Sequence, residues 1–134
     1  SIGYTGSISH CDIAAAAVIT TELKGIGIDL ERTDRVKEKL FEALFTQSER
    51  AILAGLPDIA PAIAFSAKES GYKAIFPIGG QFIGFQEATV TLDWSTQTFT
   101  IEYLGTHAPN SALHSGTGHW QVAGNYVLTI FVMN

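Results

Sequence analysis

The chain has 134 residues, 46% hydrophobic and 16% charged, which is enough apolar material for a buried core and too much for a disordered tail. Eight Lys and Arg against thirteen Asp and Glu leave a net charge of −5, which argues against a general nucleic-acid binder. The longest apolar run, Ile13 to Ile19, is far shorter than the roughly 20 residues of a membrane span, and a single cysteine, Cys11, excludes an internal disulfide framework and fits a reducing, cytoplasmic setting.

Ile13 to Thr21 and Gly25 to Leu30 read as two buried strands around a turn at Leu23–Lys24–Gly25, although the four alanines of the first also suit a helix. Apolar residues at 36, 40, 41, 44 and 45 make a helical stripe over Val36 to Phe45. Thr46-Gln-Ser-Glu49 is a capping box that should open a short helix ending near Ala54. Asp58 to Ile75 reads as another helix, with Pro61 tolerated only in its first turn and Pro77 closing it. Phe82 to Phe85, Ala88 to Asp93 and Thr98 to Leu104 alternate as strands do, the last two joined at Trp94 to Gln97. Thr106 to Gly118 reads as a loop, and Trp120–Ala123 and Tyr126–Met133 as a hairpin around Gly124–Asn125. The sum is an α+β fold with a three- to five-stranded antiparallel sheet packed against two or three helices.

All basic residues lie between Lys24 and Lys73, so an anionic ligand must be met by the first half of the chain, unless those charges form only a solvated helical face. Three stretches carry possible chemistry. In Gly25-Ile-Gly-Ile-Asp-Leu-Glu31, Asp29 and Glu31 share one strand face about 6.5–7 Å apart, a pair that suits Mg²⁺ or, more plainly, a polar strand end paired with Arg32 or Arg35. In Phe65-Ser-Ala-Lys-Glu-Ser-Gly-Tyr-Lys73, Glu69 and Lys73 are helical neighbours and Lys68 precedes them. They make either a surface salt bridge or a carboxylate flanked by two phosphate-gripping lysines. Ser7-Ile-Ser-His10 offers hydroxyl, N–H and imidazole donors to a phosphate, or simply a cap. His107, His114 and His119 match no standard zinc spacing.

Taken in order, Ser-Ile-Ser-His, Gly27-Ile-Asp-Leu-Glu31 and Phe65-Ser-Ala-Lys-Glu-Ser-x-x-Lys73 resemble the motifs of the 4′-phosphopantetheinyl transferases, especially the enterobactin-synthase-type members of the surfactin-type class. The resemblance implies Mg²⁺-dependent transfer of 4′-phosphopantetheine from coenzyme A to a serine of an acyl, peptidyl or aryl carrier protein, with Mn²⁺ as an alternative metal. By the same resemblance Asp29, Glu31 and Glu69 hold the metal, and Glu69 is also the base for the carrier serine. Lys68 and Lys73 bind phosphate, and Ser9 and His10 meet the coenzyme A phosphates. It further implies siderophore-type nonribosomal peptide synthesis and a cytoplasmic place with a synthetase complex as a possible companion, while composition and the short apolar runs predict no nucleic-acid partner and no membrane span. Phe65 stands where the family commonly has Trp. Residues 1–24 resemble the end of an N-terminal half and 25–134 a C-terminal half, so a missing first half or a second copy is the expected complement. The competing readings are a trimeric holo-acyl-carrier-protein synthase of fatty-acid synthesis and a non-catalytic fragment that binds coenzyme A or carrier.

Overall fold

The computed structural model describes residues 5–11, 14–20, 24–79 and 81–134, with side chains for 24–79 and 81–134. Two strands, β1 (Thr5–Cys11) and β2 (Ala14–Thr20), form an antiparallel hairpin in register Thr5↔Thr20. Strand β3 (Gly25–Arg32) is followed by α1 (Phe41–Leu44), α2 (Gln47–Leu53) and α3 (Ala60–Ile75). Then come β4 (Ala88–Asp93), β5 (Thr98–Tyr103), β6 (Gly116–Ala123) and β7 (Tyr126–Met133). The second sheet is antiparallel with strand order β3-β7-β6-β5-β4. The architecture is α+β, as the sequence predicts.

Helix α3 is the long central element. Alanines dominate its first half, Pro61 sits in its first turn where a missing N–H costs nothing, and Pro77 follows its end. Thirteen of its sixteen residues are buried, some facing the sheet and others, such as Ala60, Ala64 and Phe65, facing Phe45 and Leu53. The approach to β3 is so close that a Cβ on Gly27 would run into the backbone carbonyl of Ser70. Beneath it, the Ser66 and Thr129 hydroxyls hydrogen-bond at 2.8 Å in the core, fixing α3 on β7. The main apolar cluster includes Ile63, Ile75, Phe99, Ile101, Trp120 and Phe131, and a satellite cluster gathers around Phe45, Leu53 and Phe65.

Four sequence expectations differ from the fold. Strand β3 pairs with β7, from Gly25↔Met133 to Arg32↔Tyr126, and β2 pairs with β1, so the two strands expected on either side of Leu23–Lys24–Gly25 have other partners. Ile13, Thr21 and Leu23 themselves lie outside the described residues. The stripe over Val36 to Phe45 yields only a 3-10 turn (Glu38–Leu40) and the single turn of α1. Phe45 and Thr46 must be extended to seat the capping box of α2, and that stops the preceding helix at Leu44. Phe82 to Phe85 is not a strand: the segment leads into the 3-10 turn Phe85–Glu87, and just before it the Asn110 side-chain amide accepts the Gln81 N–H and donates to the Gln81 C=O. Within Thr106 to Gly118 there is a 3-10 helix (Ala108–Ser115) that buries Leu113, and β6 already begins at Gly116. The glycine at 118 lets the Phe99 ring lie against the strand where a Cβ would collide with it.

Candidate active site

The side-chain alternation of β3 turns Asp29 and Glu31 toward α3 and leaves Ile26, Ile28 and Leu30 buried on the other face. Across from them α3 presents Glu69 and, one turn later, Lys73. The Lys73 ammonium donates to Asp29 Oδ1 at 3.0 Å and to the Ile28 carbonyl at 3.1 Å. Asp29 is 3% exposed, so its charge is held in a poorly solvated place beside that cation. Thus Lys73 pairs across to β3 as well as lying a helical turn from Glu69.

The three carboxylates act on one another. Burial, then the Asp29 charge and a hydrogen bond with Asp29, raise the Glu31 pKa to about 7, against the opposing pull of Arg35. The Arg35 Nε lies 3.8 Å from Glu31 Oε2. Burial and then Asp29 also push Glu69 above the usual carboxylate range, with Lys73 and Arg35 opposing. Asp29 and Glu31 therefore meet, as their spacing predicts, and Glu69 adds a third carboxyl within electrostatic reach. Among the described residues no group of three His, Cys, Asp or Glu side chains is already gathered as a metal cage. The donor chemistry nonetheless fits a hard cation: three carboxyl groups from two rigid elements, two of them with pKa values raised by burial first and by the Asp29 charge second.

Beside these groups opens a cavity of about 570 Å³, lined by Glu69, Lys73, Tyr72, Phe76, Phe82 and Phe85 among others. Glu69 and Lys73 bring charge to it, and the rest of the lining is mostly aromatic and aliphatic, with Gln81 as a polar member. Phe76 and Phe82 stand 62% and 81% exposed, leaving large apolar rings at the surface beside the cavity. The Tyr72 hydroxyl is buried with no hydrogen-bond partner among the described residues, and burial drives its pKa upward so that it stays protonated.

Lys68 departs from its expected role. It is 0% exposed, and its ammonium donates to Glu49 Oε1 (2.7 Å), the Phe85 carbonyl (2.6 Å) and the Leu44 carbonyl (3.1 Å). Three N–H groups meet three acceptors, so none remains to grip a phosphate. Desolvation lowers its pKa, with Glu49 pulling the other way. Ser9 and His10 lie on β1, whose backbone alone is described; their side chains lie outside the described residues. The late histidines disperse: His114 Nε2 accepts the Tyr103 N–H at 2.8 Å, while His107 Nε2 lies 3.2 Å from the Gly79 carbonyl. The partnership of Glu49 and the cavity residues Tyr72 and Phe85 went unread in the sequence. Tyr72 alone had a signal there, three positions after Glu69 on the same helix.

Comparison with known proteins gives a consistent picture. The family model of the 4′-phosphopantetheinyl transferase superfamily matches residues 25–131. The chain is 30% identical to 4′-phosphopantetheinyl transferase PptT of Mycobacterium tuberculosis, over 98% of this chain and 63% of that protein. It is 35% identical to enterobactin synthase component D of Salmonella typhimurium, over 96% of this chain and 55% of that one. The chain thus spans little more than half the length of these relatives. Its fold matches the crystal structure of the holo-[acyl-carrier-protein] synthase of Thermotoga maritima with a TM-score of 0.62 at 18% identity, covering 84% of this chain and 64% of that one.

Proposed function

The chain belongs to the 4′-phosphopantetheinyl transferase superfamily, and from that premise we propose that it carries the catalytic half of an enzyme moving 4′-phosphopantetheine from coenzyme A to a carrier-protein serine. The observation that carries this reading is that Lys73, bonded to Asp29, and Glu69, coupled to Asp29 and through it to Glu31, line a cavity whose other walls are mostly apolar. Coenzyme A has the matching polarity, with a pyrophosphate at one end of a long, weakly polar arm. We place the pyrophosphate at Lys73 and the arm along Tyr72, Phe76 and Phe85.

Glu69 takes the proton of the carrier serine as its oxygen bonds to the phosphorus bearing the pantetheine arm, and the bond to 3′,5′-adenosine bisphosphate breaks. A carboxylate within hydrogen-bond reach of the hydroxyl is a competent general base for that step. Lys73 spreads the charge that develops on the phosphate oxygens. Asp29, Glu31 and Glu69 would hold Mg²⁺, which supplies charge neutralisation to a pyrophosphate. In this reading residues 1–24 close a first half and 25–134 form the second, and the acceptor is a peptidyl or aryl carrier of siderophore-type synthesis. The test is to incubate the chain, alone and joined to the sequence encoded before it, with apo-carrier, coenzyme A and Mg²⁺. A carrier that gains one phosphopantetheine by mass, lost with Glu69→Gln, supports the reading. No modification by the joined form with any carrier class would overturn it.

A further inference from the structure

We propose that Glu49 and Lys68 are positioning residues, whose buried ion pair holds the Phe85–Tyr72 wall of the cavity in place. The ligand in that cavity rests on the transfer reading above; the geometry does not. Glu49 is 2% exposed, and Lys68 has no exposed surface. The Glu49 carboxylate accepts the Thr46 N–H at 2.8 Å and Lys68 Nζ at 2.7 Å on Oε1, and the Val90 N–H at 2.7 Å on Oε2. Lys68 adds the Leu44 and Phe85 carbonyls. One pair thereby ties the end of α1, the start of α2, the edge of β4 and the turn at Phe85 to the middle of α3.

That turn is where the pair reaches the site. The Phe85 ring stacks on Phe65 at 5.7 Å and tilts against Tyr72 at 5.8 Å, and both Phe85 and Tyr72 line the cavity with Glu69, the neighbour of Lys68 in the chain. A buried ion pair is a poor way to gain stability, because well-packed apolar residues commonly serve as well or better. What apolar residues cannot do is fix a backbone carbonyl by direction and distance. The Lys68 bond to the Phe85 carbonyl does so, and Glu49 holds the ammonium that makes it. Burial distinguishes Lys68 from Lys73, which is one-third exposed at the cavity.

The experiment uses the whole chain with Glu49→Gln, Lys68→Met and the two combined, and a further Glu49→Leu/Lys68→Met form that stays folded if an isolated buried charge unfolds the single variants. Ring resonances of Tyr72 and Phe85 are followed by NMR, with the remote stacked pair Phe99 and Phe131 as internal reference, and coenzyme A binding is followed by calorimetry. Positioning predicts that the Tyr72 and Phe85 signals move in every variant while the reference pair does not. Coenzyme A binding then weakens roughly tenfold in each single variant, with the combined form no worse than either. Unmoved Tyr72 and Phe85 signals beside a lowered melting temperature would reduce the pair to scaffolding and overturn the inference. A Lys68→Met loss ten times that of Glu49→Gln would overturn it in favour of direct phosphate contact. If the parent chain binds no coenzyme A with or without its upstream sequence, the transfer reading fails and the ring signals alone decide the matter.

Discussion

Lys73 is the residue at which charge and stability are most closely joined. As an exposed helical neighbour of Glu69 it would add only about 0.3–0.5 kcal/mol. Its bond to Asp29, itself nearly inaccessible, changes that expectation. Lys73→Ala should cost about 1.5–3 kcal/mol, the range for a hydrogen bond to a charged group, at the lower end because the ammonium is one-third exposed. Urea unfolding measures it; a loss below about 0.5 kcal/mol would return the residue to a surface role. The carboxylates invite a second measurement that needs no activity. If Asp29, Glu31 and Glu69 hold Mg²⁺ or Mn²⁺, saturating metal at a hundredfold its dissociation constant should add about 2.7 kcal/mol of stability. Asp29→Asn should abolish that gain, and a melting temperature indifferent to both ions would remove the metal. At this scale the sequence was legible where spacing alone decides, as for Asp29 and Glu31 on one strand face. It was misleading for Lys68, whose acceptors lie 17 to 24 residues away in the chain.

Elements followed the same division between local and distant causes. The capping box at Thr46 is wholly local and formed as read, with the Thr46 hydroxyl accepting the Glu49 N–H at 3.3 Å. That bond is long, and the reciprocal Glu49 bond to the Thr46 N–H survives its loss. Thr46→Ala should therefore cost about 0.5–1 kcal/mol, the lower half of the usual range, in thermal or urea unfolding. A cost above about 2 kcal/mol would mean that the hydroxyl also steadies the buried Glu49. Gly27→Ala is the sharper probe of how α3 sits. The added methyl meets the Ser70 carbonyl, which is helix backbone and cannot swing aside. Destabilisation of about 1–3 kcal/mol is expected, and a neutral outcome would mean that α3 can slide on β3. Strands β4, β5, β6 and β7 were legible because turns at Trp94–Gln97 and Gly124–Asn125 join neighbours in sequence. The partner of β3 was not, since Gly25 meets Met133 across nearly the whole chain.

For the molecule as a whole, the distribution of charge bears on how much of a coenzyme A site one chain can supply. All eight basic residues fall between Lys24 and Lys73, and several have other work: Lys68 is buried on Glu49, Arg32 pairs with Asp34 at 3.1 Å, and Arg35 leans on Glu31 and over the Phe65 ring. Among the described residues Lys73 is the basic side chain lining the cavity, while coenzyme A, the ligand of the proposed reaction, carries a pyrophosphate and a 3′-phosphate. The matched relatives are longer than this chain, which covers 63% of one and 55% of the other. Under the proposal that residues 1–24 complete a first half, the remaining phosphate donors belong to that half. Each absent charge-assisted hydrogen bond is worth about 1.5–3 kcal/mol, and 1.4 kcal/mol is a factor of ten in affinity. The chain joined to its upstream sequence should therefore bind coenzyme A at least about tenfold more tightly than the 134 residues alone. That difference should shrink for 3′-dephospho-coenzyme A and at high salt, as expected of contacts to phosphate. Calorimetric titration of both forms with both ligands measures it. Equal affinity of the two forms for coenzyme A would locate every phosphate contact within this chain and overturn the two-half assignment.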